Sequence, residues 1–173
     1  MPVSCGKPLP VTEVQTLTTK YAITLPDDYQ EFLKKQNGFV VKSPDYCALD
    51  FQGVDEGIIA FDALFGLHTL NENYDLHYHN DEFLDEIAFI RNAFIIGDDP
   101  GGNYYILVND ASRRGVYYWD RTHLHAEDAI QAFAIPEQDE SGNLYKLTPD
   151  FAAFYDLIAA NTLARGMKIN NDL

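Results

Sequence analysis

The residues with the most chemical promise are two His-x-His strings, His77-Tyr78-His79 and His123-Leu124-His125. On a strand, alternation would set both imidazoles of a pair on one face, and four such ligands could hold zinc in a metal-dependent hydrolase. Asp75 and Asp81 stand close enough in sequence to orient or replace a ligand. Against this, His-x-His is common by chance, and both pairs fall near loops or strand ends. Solvent-exposed histidines are the expectation, with no metal, no cofactor and no catalytic residue. Nucleophilic chemistry has less support still. None of Ser4, Ser43, Ser112 and Ser141 stands in a G-x-S-x-G elbow. Cys5 lies near a terminus and Cys47 has no histidine near it in sequence, so buried or inert thiols are expected. The run Gly97-Asp98-Asp99-Pro100-Gly101-Gly102 lacks the P-loop and dinucleotide spacings, and its carboxylates would repel phosphate. It reads as a turn. Tyr104, Tyr105, Tyr117, Tyr118 and Trp119 look like a base-stacking set, but only Arg113 and Arg114 could place cations among the rings. Core packing with one half-exposed sheet face fits them better, and exposed rings there would suit a protein interface.

Charge narrows the function classes further. The 173 residues carry 12 Lys and Arg against 27 Asp and Glu, a formal charge of −15. That balance excludes a free-standing nucleic-acid binder, because phosphate contact needs cations. The acidity is also uneven, since residues 51–100 alone have a net charge of −10. A solvated, solubility-giving surface explains part of this, and an electronegative face aimed at a cationic partner explains the clustering. The longest stretch without a charged side chain, Pro100–Asn109, is too short to cross a bilayer, and Lys7 precedes no apolar run of a secretory signal. Two cysteines without a disulfide framework suit a reducing cytoplasm.

The elements that must position these residues follow from spacing. Pro10 and Thr12 open a first helix with Val14, Leu17 and Tyr21 inward and Gln15 placed for a capping box. Pro26, Asp27 and Asp28 begin a second, whose apolar face is Tyr29, Phe32 and Leu33, and Asn37-Gly38 ends it. Short β-like runs occupy Phe39–Lys42, Ala48–Gln52 and Gly57–Phe61. Asp81–Arg91 predicts a short helix with Leu84, Ile87 and Ala88 inward and Glu82, Asp85 and Glu86 outward. Phe94–Ile96 enters the glycine-rich turn, and Tyr104–Asn109 with Gly115–Asp120 predicts a hairpin. A helix is expected over Ala126–Ala134, a polar loop over Pro136–Asn143, and a last helix over Pro149–Ala164. Helices at both ends of a set of strands indicate a single α+β domain with a mainly antiparallel central sheet.

Taken together, Leu25-Pro26-Asp27-Asp28-Tyr29, Phe32-Leu33 and Asn37-Gly38 resemble the N-terminal signature of the SUKH superfamily. Ile96-Gly97-Asp98, Gly101-Gly102-Asn103, Tyr105-Ile106-Leu107 and Val116-Tyr117-Tyr118-Trp119-Asp120 are similar to its second signature, and Phe151–Ile158 to its terminal helix. Phe39 stands where many members carry a second glycine. The resemblance covers roughly residues 11 to 160. It implies a non-enzymatic α+β domain, in a superfamily of bacterial immunity proteins that bind toxins and fungal regulators of cell-wall synthesis. On that view Gly38 stops a helix, Gly97 and Gly102 shape a turn, and Trp119 fills core. The expected function is a cytoplasmic immunity protein that neutralises a cationic toxin domain, such as a nuclease, without touching nucleic acid or membrane itself. A regulatory interaction module and a His-dependent hydrolase are the alternatives. The charge pattern nominates Asp75, Asp81, Glu82, Asp85 and Glu86 as the partner-binding residues, the last three exposed opposite Leu84 and Ile87.

Overall fold

The computed structural model describes residues 2–54, 56–122, 124–125 and 143–173. Helix α1 (Val11–Tyr21) turns Val14 and Leu17 into the core, as the spacing predicts. Its N-cap is Pro10, which has no side chain to cap with, and the expected capping box does not form. The hydroxyls of Thr16, Thr18 and Thr19 bond back onto the helix's own carbonyls instead. Helix α2 (Asp27–Lys35) buries Tyr29, Phe32 and Leu33. Asn37 at φ 49° and Gly38 at φ 107° stop it in the left-handed region, which an unbranched or absent side chain tolerates best. Asn37 then ties the stop to the loop at Leu67, whose N–H and C=O its buried amide bonds at 2.7 and 2.9 Å.

Among the described residues the central sheet has eight strands, in the order β10-β1-β2-β5-β6-β7-β8-β9. They are β1 (Pro2–Ser4), β2 (Phe39–Val41), β5 (Ala63–Leu64), β6 (Ala93–Asp98), β7 (Tyr104–Val108), β8 (Gly115–Asp120), β9 (Asn143–Thr148) and β10 (Lys168–Asn170). Every neighbouring pair is antiparallel except β1 with β10. A separate hairpin joins β3 (Cys47–Asp50) to β4 (Ile58–Phe61). Beside the sheet lie α3 (Leu76–Phe83), a 3-10 turn (Leu84–Ile87) and α4 (Phe151–Asn161). The α+β architecture with a mainly antiparallel sheet is the expected one.

Tyr104 pairs with Trp119 and Tyr105 with Tyr118, so the predicted β7–β8 hairpin forms in register. Alternation sends the first pair to one face and the second to the other. On the first face, Tyr104 meets Phe83 and His79. On the second, Tyr105 meets Phe61 of β4 and Phe154 of α4. All residues of β7 and β8 are buried, Trp119 completely. The half-exposed aromatic face expected from the sequence is therefore absent among the described residues: α3 and the 3-10 turn cover one side, and α4 with the small hairpin covers the other. Gly97 is needed at the β5–β6 contact, where a Cβ would run into the carbonyl oxygen of Ala63.

Two further expectations change. The helix placed at Asp81–Arg91 begins five residues earlier, at Leu76, and tightens into the 3-10 turn at Leu84. Of the polar loop expected over Pro136–Asn143, residues 136–142 lie outside the described residues, and Asn143 itself begins β9, which pairs with β8. The helix expected over Ala126–Ala134 lies outside the described residues.

Candidate partner-binding face

Helix α3 carries both the first His-x-His string and the first half of the acidic series. Asp75 is its N-cap and accepts the backbone N–H of His77 at 2.8 Å and that of Thr69 at 3.3 Å. The inward face is Leu76, His79, Asn80 and Phe83. Asn80 takes the place of a strand neighbour: its amide accepts from the Ile95 N–H at 2.9 Å and donates to the Ile95 carbonyl at 2.8 Å. This locks α3 to β6 where the two-residue β5 does not reach.

A helix separates residues i and i+2, so His77 and His79 diverge instead of sharing a face. His79, 6% exposed, stacks parallel on Phe65 with ring centres 3.9 Å apart. Its Nε2 bonds the Asn73 carbonyl at 2.7 Å and its Nδ1 lies 3.1 Å from the Tyr104 hydroxyl. Burial holds its pKa below the usual histidine value, against the opposing pull of the Asn73 carbonyl. The expected exposed histidine is thus a buried core residue. His77 faces α1, with Nδ1 2.8 Å from the Tyr21 hydroxyl and 3.1 Å from Lys20 Nζ. Desolvation and then the Lys20 charge lower its pKa as well. His123 lies outside the described residues, and among those described no three His, Cys, Asp or Glu side chains form a group that could hold a metal ion. Both thiols are buried, and burial pushes Cys5 up to about 12 and Cys47 to about 11, away from the reactive thiolate.

The five nominated acidic residues divide into three kinds. Asp75 is a cap. Asp81 is bound to α1, accepting from Lys20 Nζ and the Tyr21 hydroxyl, each at 2.7 Å. Burial works against ionisation of Asp81, and those two bonds outweigh it, so its carboxyl sits below the usual range. Glu86 takes Arg121 Nη2 on both oxygens, at 2.9 and 3.1 Å. That leaves Glu82 and Asp85, both exposed and in no ion pair among the described residues. Glu82, Asp85 and Glu86 are all exposed, Ile87 is fully buried and Leu84 half-buried, but Ala88, expected inward, is exposed, and the three acids do not stack on one α-helix, because the chain tightens at Leu84.

Residues that the sequence reading missed complete the face. The Arg121 guanidinium lies 4.4 Å from the Phe83 ring centre and 5.0 Å from that of Trp119. Lys20 Nζ lies 4.9 Å over the Tyr21 ring. Tyr78 projects outward from α3, 48% exposed. A signal for it was present, since Tyr78 and Glu82 are spaced i, i+4.

A second carboxylate group sits deeper, where β5 and β6 meet. The Asp62 N–H bonds the Asp98 carbonyl at 3.1 Å, and Asp98 Oδ1 is buried without a hydrogen-bond partner among the described residues. Burial, with Asp62 and Asp99 adding repulsion, raises the Asp98 carboxyl to about 8. Asp62 is shifted upward by the same causes, burial first and Asp99 second. Asp99 organises the turn: its carboxylate accepts from the Gly101 and Asn103 N–H groups, the Asn103 side chain and the Tyr118 hydroxyl, at 2.7–3.0 Å. Its oxygens are occupied by the protein itself, which agrees with a structural turn.

A protein-family model described as SMI1 / KNR4 family (SUKH-1) matches residues 8–157. No curated protein and no solved structure matches the chain.

Proposed function

From the premise that the chain belongs to the SMI1 / KNR4 family (SUKH-1), we propose that it is an immunity protein that binds and neutralises a cationic toxin domain, without chemistry of its own. Family membership over residues 8–157 carries this reading, because immunity and regulation by protein binding are the roles that fit it. The partner's charge is argued from the acidic face. Residues 51–100 have a net charge of −10, and Glu82 and Asp85 point to solvent outside internal ion pairs. A toxin that acts on nucleic acid needs a basic cleft, and an acidic inhibitor covers such a cleft while speeding encounter electrostatically. Asp81 and Glu86 shape the edges of the face through Lys20 and Arg121, and Asp75 holds the helix that presents it. The protein acts in the cytoplasm, where the toxin would otherwise reach its target. The domain takes in residues 1–173, since β1 and β10, which flank the matched range, extend the same sheet.

The test is stopped-flow association with a cationic toxin domain, its gene sought next to this one, measured across salt concentrations. Association should slow steeply with salt, and Glu82→Lys with Asp85→Lys should slow it tenfold or more while circular dichroism stays unchanged. A rate indifferent to salt and to the double reversal would move the binding surface elsewhere. Failure to bind or to rescue toxin-expressing cells would favour the regulatory role instead.

A further inference from the structure

Helix α3 and the turn after it hold a basic side chain on each flank by the same two-part device. On one flank, Lys20 Nζ sits over the Tyr21 ring at 4.9 Å and pairs with Asp81 at 2.7 Å. On the other, the Arg121 guanidinium packs on Phe83 at 4.4 Å and pairs with Glu86 at 2.9 Å. Each site combines the negative face of a ring with a carboxylate, which is how a cation is best held at a partly wet surface. Between the flanks, on the outward side of α3, stand Tyr78 and Glu82. At i, i+4 on one helix they are surface neighbours, with Cβ atoms about 5–6 Å apart. Tyr78 is 48% exposed, Glu82 is exposed, and neither has a basic partner among the described residues.

We infer that Tyr78 and Glu82 form a third site of this kind, built for an arginine side chain presented by the protein partner. The inference rests on reading the acidic face as the binding surface and says which residues on it take the partner's cation. Arginine is favoured over lysine because a planar guanidinium can stack on the Tyr78 ring and still bond the Glu82 carboxylate edge-on, as Arg121 does with Phe83 and Glu86. The site is also held in place. Asp75 caps the helix, Asn80 bonds it to β6, and the Tyr78 ring meets the fixed His79 ring edge-on at 5.2 Å. A ring fixed in this way loses little entropy when a partner docks, which suits an interface anchor. Asp85, exposed further along, adds attraction for the same cation.

The experiment uses the full chain and a pentapeptide carrying two arginines, followed by two-dimensional NMR. Its neutral counterpart, with citrulline in place of arginine, is the control. The arginine peptide should shift the α3 amides around Tyr78 and Glu82, its own side-chain protons should move upfield from the ring current, and the citrulline peptide should do neither. Tyr78→Ala should weaken binding about two- to fivefold, the worth of an exposed cation–ring contact, while Tyr78→Phe binds like the parent. Shifts centred elsewhere, equal binding of the citrulline peptide, or indifference to Tyr78→Ala would overturn the inference. Because no toxin is involved, this result stands apart from the immunity reading. In the toxin complex itself, Tyr78→Ala should speed dissociation about tenfold or more, since the contact is desolvated there. A toxin that binds with unchanged dissociation would overturn the Tyr78 site and leave the immunity reading standing.

Discussion

At the scale of single residues, His79 carries the sharpest consequence. An exposed His-x-His pair would make its replacement silent, but His79 stacks on Phe65 and meets the Tyr104 ring edge-on, with both ring nitrogens within bonding distance of protein oxygens. His79→Ala should cost about 2–4 kcal/mol, from the lost stack and the two stranded partners, read as a lower urea midpoint. His77→Ala, at a half-buried position, should cost much less. The folded state holds His79 neutral, so its contribution is complete above the unfolded value near 6.5 and is lost as pH falls below it. NMR titration showing His79 protonating above 6.5 would contradict the buried, neutral assignment.

At the scale of elements, the junction of α3 with β6 decides how the acidic face is presented. The helix is fixed at its start by Asp75 and midway by Asn80, both through backbone groups that have no strand or helix partner of their own. Asn80→Ala leaves the Ile95 N–H without this acceptor and should cost about 1–3 kcal/mol, with faster hydrogen exchange at Ile95. Asp75→Ala removes the cap and should cost about 1 kcal/mol. If Ile95 exchange stays unchanged in the Asn80 variant, the helix is held by apolar packing alone. The sequence placed this helix late for a physical reason. Two of its four inward residues, His79 and Asn80, are polar, so hydrophobic periodicity is silent where tertiary hydrogen bonds do the positioning.

At the scale of the whole molecule, an excess of 15 negative charges affects the interior as well as the surface. Asp98 shares the β5–β6 junction with Asp62 and Asp99, and its carboxyl, shifted from 3.8 to about 8, keeps its proton in the folded state at neutral pH. A raised carboxyl pKa contributes stability in full below 3.8 and loses it as pH rises through about 8. The slope is at most about 1.4 kcal/mol per pH unit. Asp98→Asn should therefore gain stability relative to the parent as pH rises across this window, and urea titrations at pH 5, 7 and 8.5 would measure it. A difference that does not change with pH would mean that Asp98 is ionised in the folded state.

Local chemistry was enough to specify α2, the Asn37–Gly38 stop, the β7–β8 hairpin and the presence of α4, because each is set by nearest-neighbour spacing, backbone preference or turn type. Most of the family signatures lie in those same segments, and the rest lie in β6 and the turn after it, so the fold class is legible in the sequence. Strands β1, β5 and β10 are two or three residues long and form only because distant segments meet them. Charge counting found the acidic stretch but could not divide it, since a carboxylate's role depends on what lies across the gap. Lys20 is 61 residues from Asp81 in sequence and Arg121 is 35 from Glu86, and only folding brings them together. Glu82 and Asp85 were left open to solvent by that same folding, so the composition determined that the protein is acidic and the tertiary structure decided which acids a partner can reach.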